Sequence, residues 1–323
     1  MTPAVSVVVP TYNRGDRIRE CLDALRAQRT ERPYEILVVD DGSTDDTASV
    51  VQRCPPVRLI RQENAGPAKA RNRGVAEARG DVVLFTDDDC VPEPDWIERM
   101  TTPFEDPRVA GVKGAYRTRQ RALIARFVQL EYEEKYDRLR RYRSIDFVDT
   151  YSAAFRRRVF LEAGGYDTDF PVASVEDQEF SFRLAAAGHD LRFVPEAKVW
   201  HTHVDTVAAY VRKKFKIGYW KVRLLAKNPG RATGDSHTPQ TLKMQILLAA
   251  AFPPGCLAVA LGAPGLLVPA GIALVFAVTT LPLTLRCAVR DPVVGLLAPG
   301  FIACRAAGLT AGLLAGLLRR ASR

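Results

Sequence analysis

Apolar residues follow two regimes along this chain. Over residues 5–85 they form short continuous runs, each of which stops at a turn and gives way to a stretch with helical spacing. Val5–Val9 is the first run and predicts a strand buried on both faces, halted at Pro10. Thr11, Tyr12 and Asn13 lead into an amphipathic helix on which Ile18, Cys21, Leu22 and Leu25 share a face. Tyr34–Asp40 is a second strand. The segment after it, Asp40-Asp41-Gly42-Ser43-Thr44-Asp45, has the glycine for a tight turn and the side-chain oxygens to cap a helix. Val57–Arg61 is a short third strand, and residues 64–72 open another helix with Pro67 in its first turn. Val82–Phe85 is the fourth strand. Strands alternating with helices imply a parallel sheet with right-handed crossovers.

The fourth run ends abruptly on three carboxylates, Asp87, Asp88 and Asp89, in GDVVLFTDDDCVP. Open α/β sheets place their ligands at the carboxyl ends of strands, and three adjacent acids repel one another. A hard divalent cation, Mg2+ or Mn2+, gives them a role. A solvated acidic turn before Pro92 and Pro94 is the other reading of these residues alone. No glycine fingerprint of a dinucleotide fold follows the first strand, and no P-loop signature occurs. Acids at two strand ends, Asp40/Asp41 and Asp87/Asp89, suit hydroxyls, base edges and a metal-bridged diphosphate.

Residues 109–150 leave the alternating pattern. Val109–Tyr116 reads as a strand and Ala122–Arg143 as a long charged helix with Phe127, Leu130 and Leu139 inside. Its arginines at 138–143 read as a solvated face, with contact to an acceptor or a lipid headgroup as the other reading. Asp149–Arg156 fits a strand turning into a helix. Glu176-Asp177-Gln178-Glu179 is a second acidic focus: either a first turn stabilised by the helix dipole, or the site of a proton-accepting carboxylate. His201 and His203, two apart on a predicted last strand, would face the same side.

Together the segments VSVVVPTYNR, EILVVDDGSTDDT, GPAKARNRGVAEARGDVVLFTDDDCVPEPDW and GGYDTDF…SVEDQEFSFRLAAAGHDLRFVP resemble, in order, the family 2 inverting glycosyltransferases of the GT-A fold. The resemblance covers roughly residues 4–203. It implies an α/β Rossmann-like mixed sheet and a nucleotide diphosphate sugar donor. Pro10, Thr11, Asn13 and Asp41, with Asp40 beside them, would contact base and ribose; a cap on the following helix is the other reading of Asp40 and Asp41. Lys69 or Arg71 would lie near the phosphates or be solvated helix charges. Asp87 and Asp89 correspond to the family's metal-binding acid pair, with Asp88 a minor partner and His201 a further ligand; His203 is the reserve. Asp177 corresponds to the catalytic base, with Glu176 beside it. In many relatives a Gly-Asn type pair stands where this chain has Tyr151 and Ser152, a departure that bears on donor or acceptor preference rather than on the reaction.

The second regime begins near Asp205. The stretch YVRKKFKIGYWKVRLLAKNPGR carries no acid from Arg212 onward, and Val207, Val211, Phe215, Tyr219 and Val222 recur near helical spacing. That pattern fits an amphipathic helix on an anionic leaflet. Two uncharged stretches follow, about 242–261 and 266–285, each long enough to span a bilayer and joined by a Gly-Ala-Pro-Gly turn. Cationic flanks on both outer ends leave the catalytic domain cytoplasmic. Residues 293–318 could cross a third time, but Arg305 would then sit mid-membrane. Arg319, Arg320 and Arg323 would emerge on the wrong side, and Pro299-Gly300 breaks the run. A re-entrant or interfacial segment is the expectation.

The full chain has 323 residues and a formal charge of +9, which suits a polyanionic partner. The apolar C-terminal third makes that partner an anionic lipid bilayer rather than nucleic acid. Six scattered cysteines without a CxxC pair, and four histidines, give no zinc spacing. They read as small thiols of a reducing compartment. The chain enters its first strand without a charged n-region, so no signal peptide is expected.

The expected organisation is a catalytic domain at 1–204, a basic interfacial helix and linker at 205–240, and a membrane domain at 241–323. The expected activity is metal-assisted transfer of a sugar to a membrane-linked acceptor (a lipid-linked sugar, glycolipid or cell-surface polysaccharide) at the cell membrane. No QxxRW signature of processive synthesis occurs, which favours single or few additions. Alternative readings are a polyprenyl-phosphate glycosyltransferase, an inactive nucleotide-binding membrane scaffold, and a small channel or transporter.

Overall fold

The computed structural model describes residues 3–170, 174–261 and 265–321. It divides into two compact units, residues 1–119 with 136–202 and residues 120–135 with 203–323. The boundary differs from the sequence expectation: residues 120–135 cluster with the C-terminal helices rather than with the catalytic domain.

The first unit is built on β1 (Val5–Thr11), β2 (Tyr34–Asp40), β3 (Arg58–Arg61), β4 (Val82–Phe85), β5 (Cys90–Pro92), β6 (Val109–Arg117), β7 (Ala153–Arg156) and β8 (Asp190–His201). These form one mixed sheet in the order β3-β2-β1-β4-β7-β6-β8-β5. The first four strands are parallel. β7 then runs antiparallel to both β4 and β6, β8 is parallel to β6, and β5 closes the edge antiparallel to β8. Every residue of β1 and β4 is buried, which is why their apolar runs do not alternate. Pro10 lies beyond the last β1–β4 pair, Val8 with Phe85, so its missing N–H costs no bond of that ladder.

Around the sheet lie α1 (Ile18–Arg26), α2 (Thr47–Gln52), α3 (Pro67–Glu77), α4 (Trp96–Thr101), the last turn of α5 (Leu123–Leu139), α6 (Arg157–Glu162) and α7 (Glu176–Ala186). The predicted face of α1, Ile18, Cys21, Leu22 and Leu25, is the buried one. Phe85, Phe155, Phe160, Tyr166 and Phe180 pack edge-on or tilted, with ring centroids 4.7–6.3 Å apart, and hold α6 and α7 to β4 and β7. α3 joins the sheet through small side chains, with Ala68, Ala70 and Val75 buried.

The second unit contains the first four turns of α5, then α8 (Val207–Lys227), α9 (Gln240–Ala260), α10 (Leu267–Arg290) and α11 (Pro292–Ala321). Of the predicted loop between α9 and α10, Gly262, Ala263 and Pro264 lie outside the described residues. α9, α10 and α11 are each long and apolar enough to cross a membrane. The expected break at Pro299-Gly300 is not present: α11 runs through it without interruption. Its most apolar stretch is 44% buried in protein, against 6% for α9 and 17% for α10, so lipid-type exposure belongs mainly to α9 and α10.

α8 is not simply a surface helix. Its apolar row faces α11, where Gly308, Gly312 and Gly316 recur every fourth residue. A Cβ at Gly308 would lie 3.0 Å from the Val211 carbonyl oxygen, one at Gly316 would lie 2.6 Å from that of Tyr219, and one at Gly312 would overlap that of Phe215. The two backbones therefore touch, as small-residue spacing permits. The cost anticipated for Arg305 is also met inside the protein. Its guanidinium reaches Glu131 of α5 at 2.7 Å and Gln245 of α9 at 2.9 Å. Glu131 also accepts from Tyr210 at 2.8 Å and from Lys214 at 3.3 Å, both on α8. Burial would raise the Glu131 pKa, but the two cations hold it below the ordinary range.

A Gly312→Leu change is expected to destabilise the detergent-solubilised protein by about 1–3 kcal/mol, read as a lower Tm. Gly271→Leu on α10, where an added Cβ meets nothing within 4 Å, is the matched control and is expected to leave Tm nearly unchanged. Equal melting of the two variants would contradict the close α8–α11 contact.

Candidate active site

The carboxyl ends of β1, β2 and β4 lie side by side and carry the polar residues that the sequence singled out. Asp40 is fully buried, and its two oxygens accept from the Ser43 N–H at 2.8 Å and Arg61 Nε at 2.9 Å. It therefore fixes the turn after β2, where Gly42 has φ +81°. Asp41 accepts from Gln62 Nε2 at 2.7 Å and from the Ala65 and Gly66 N–H groups at 2.9 and 2.8 Å, which sets the entry to α3. Asn13 has a left-handed backbone, φ 53°, and its Oδ1 accepts from the Thr44 N–H at 2.8 Å. Pro10 and Thr11 close β1 beside these turns.

The acid triplet resolves its repulsion by facing three ways. Asp87 Oδ1 takes Arg71 Nη2 at 2.8 Å. Asp88 Oδ2 accepts the Thr11 hydroxyl at 2.7 Å, and its other oxygen lies 3.8 Å from Arg14. Asp89 Oδ1 lies 3.6 Å from His201 Nε2. Asp88 is the most enclosed: burial, against the Thr11 hydroxyl but with Asp89 and Asp87 adding, pushes it up to about 7.

Arg71 makes the key connection. Its side chain is buried, and beyond Asp87 its Nη1 reaches Glu176 Oε1 at 3.2 Å. Burial opposes the charge on Arg71, and the Asp87 and Glu176 carboxylates more than offset it, raising its pKa. Lys69, two residues away on α3 and exposed, faces nearly the opposite direction and does not join this group.

The β5–β8 pairing places Cys90 directly opposite His201. With Asp89 they form a compact set of possible metal-ligating atoms, all within 4.8 Å of one another. Burial, with Asp87 and Asp89, pushes the Cys90 thiol well up, so the carboxylate and imidazole are the donors that fit a hard divalent cation. His203 lies outside the strand. β8 ends at His201, and His203 belongs to the second unit, where it lies 3.1 Å from Gln129 and stacks on Tyr132.

Asp177 stands in the first turn of α7. Its carboxylate accepts from the Gln178 N–H at 2.8 Å and from the Thr150 N–H at 3.4 Å. Burial, then Glu176 and Asp149, raise its pKa well above the ordinary carboxylate range, with Arg71 opposing. A half-buried acid with raised proton affinity, one residue from a salt bridge to the triplet, makes Asp177 a candidate for proton transfer.

Residues 6–164 match the family model for glycosyl transferase family 2. EpsH of Bacillus subtilis (strain 168) is 30% identical over 243 residues, 67% of this chain and 66% of its own length. The chain belongs to glycosyl transferase family 2. The poly-beta-1,6-N-acetyl-D-glucosamine synthase of Staphylococcus aureus (strain MSSA476) is 27% identical over 230 residues, 68% of this chain and 53% of its own. The chain thus spans about half to two thirds of the length of these relatives. The mannosyltransferase PcManGT of Pyrobaculum calidifontis, solved with GDP-Man and Mn2+, shares the fold over 99% of this chain and 88% of its own, with TM-score 0.65 and 22% identity. The mixed sheet of this family 2 glycosyltransferase is of the GT-A type.

Two groups near this site, Asp149 and Lys113, were not singled out from sequence. Glu176, offered by the sequence beside Asp177, anchors the far end of Arg71; Asp149 is near enough to Asp177 to raise its pKa, and Lys113 contacts Asp149. Lys113 did carry a signal, a lone cation inside the apolar strand VAGVKGAY. Replacing Arg71 with Met would leave Asp87 and Glu176 without their common cation. The expected loss is about 3–5 kcal/mol in chemical denaturation, together with transferase activity. An unfolding transition coincident with the parent's would show that the bridge does not organise the site.

Proposed function

We propose that this family 2 glycosyltransferase moves a sugar from a nucleotide diphosphate sugar to a membrane-linked acceptor by direct displacement with inversion. The observation that carries the reading is the Arg71 bridge from Asp87 to Glu176, which sets the base candidate Asp177 beside the acid triplet. Asp41 and Asn13, at the ends of the neighbouring strands, suit the imide and hydroxyl groups of a nucleoside. Pro10 and Thr11 form the wall beside them, and Asp40 holds the turn. A divalent cation at Asp89 and His201, with Asp87 in the same corner, would neutralise the departing diphosphate; Mn2+ accompanies GDP-Man in the fold neighbour.

Asp177 takes the proton of the attacking hydroxyl as the new bond forms on the face opposite the leaving group. Thr150 and Gln178 N–H groups aim its carboxylate. The adjacent Glu176 carboxylate favours proton uptake by Asp177, and Arg71 opposes it.

The membrane-linked acceptor is supported by the second unit. Leu257, Leu261, Leu266 and Leu267 are 60–86% exposed on α9 and α10 and around the loop between them, an apolar surface suited to lipid. Arg212, Lys213 and Lys216 on α8 are exposed to meet anionic headgroups. α9 and α10 form the crossing hairpin, with α11 packed on α8 at the interface and the catalytic domain on the cytoplasmic side. The same exposed cations favour, as a second reading, a lipid phosphate as the acceptor itself. A phosphate-linked product would identify it.

The test is turnover of UDP-, GDP- and dTDP-sugars by the full chain with membranes present. Asp177→Asn is expected to lower kcat about 10²–10⁴-fold with donor binding retained. A base acts only when deprotonated, so a raised Asp177 pKa predicts kcat/KM falling with acidification already above the ordinary carboxylate range. Unchanged turnover in Asp177→Asn would reject the mechanism.

A further inference from the structure

Lys113 lies in mid-β6 with its side chain fully buried, an expensive place for a cation unless it is paired. Its Nζ contacts the Asp149 carboxylate and lies 3.1 Å from the Tyr151 hydroxyl. The rings of Tyr151, Phe147 and Tyr136 surround it at 4.9, 5.4 and 6.0 Å. The segment that carries Asp149 is stitched to the first turn of α7 on both sides. Val148 N–H donates to Ser181 Oγ at 3.0 Å, and Ser181 in turn donates to the Asp177 carbonyl at 2.7 Å. On the other side, Thr150 N–H donates to the Asp177 carboxylate at 3.4 Å. Asp149 sits between these anchors.

We propose that Lys113 is a positioning residue for Asp177: by holding and neutralising Asp149, it keeps the Thr150 N–H on the base and sets the charge that the base faces. The inference rests on the reading of Asp177 as the base. Lys113 is fully buried and acts through Asp149. The groups facing Asp177 are Glu176 beside it on α7, Asp149 from the loop before β7, Arg71 from α3 and Tyr166. Two anions raise its proton affinity and one cation lowers it. Loss of Lys113 leaves Asp149 unbalanced and tightens the proton on Asp177. Loss of the Asp149 charge releases it.

The two changes therefore move the acidic limb of kcat/KM in opposite directions, which a merely structural role would not do. The limb is measured on the full chain, with the donor that turns over fastest among UDP-glucose, GDP-mannose and dTDP-rhamnose and with membranes as acceptor. Lys113→Met is expected to shift the limb up by about one pH unit. It should also lower kcat roughly tenfold with donor KM within about twofold. Asp149→Asn, which keeps the shape and removes the charge, is expected to shift the limb down. Limbs that coincide with the parent's, or move together, overturn the inference; should Lys113→Met not fold, the direction of the Asp149→Asn limb decides alone. Asp177→Asn in the same assay separates the two levels. Retained turnover there rejects the base itself, whereas lost turnover with unmoved limbs rejects only the role of Lys113.

Discussion

One buried guanidinium holds the catalytic unit's chemistry in register. Arg71 joins Asp87, at the end of β4, to Glu176, on a helix 105 residues further along the chain. Removed from water, that cation needs both anions, and the anions need it. The constraint fixes α3, the acid triplet and the first turn of α7 relative to one another. The rest of the site follows from it. With Asp87 held, Asp88 turns to Thr11 and Asp89 turns to His201. Three neighbouring acids thus acquire three separate environments, and Asp89 is left facing the imidazole across the β5–β8 pair.

The second unit uses the same logic at its own centre. Glu131 collects Arg305, Tyr210 and Lys214, and Arg305 passes the connection on to Gln245. Four helices are thereby tied by one carboxylate, and a cation that would be costly in lipid is satisfied within protein. The glycine row of α11 lets α8 come close enough for this to happen. A basic helix is thus fixed to an apolar one, with Arg212, Lys213 and Lys216 left exposed.

Much of this was legible in the sequence. Tyr34–Asp40 and Val82–Phe85 are strands to the residue, because a short buried run bounded by turn residues admits little else. The buried face of α1 was equally plain. What stayed hidden depends on contacts between distant segments. Nothing local says that β8 stops at His201, so alternation alone puts His203 on the same face, whereas it belongs to the other unit. Pro299-Gly300 reads as a break, yet packing on both sides of it carries α11 straight through. Arg305 looked prohibitive because its partner lies on α5, far back in the chain. Arg71 was indistinguishable from any helix charge until α7 brought Glu176 to it.

Direct displacement at a site built from Asp89, His201 and Asp177 makes one claim that no structural role could imitate, which is the stereochemistry at the transferred sugar. Proton NMR of the product formed early from a donor of known anomeric configuration reads it directly. From an α-linked nucleotide sugar the account predicts a β-linked product, seen in the anomeric coupling. An α-linked product would mean two displacements or a front-face mechanism, and would contradict the assignment of Asp177 as the base.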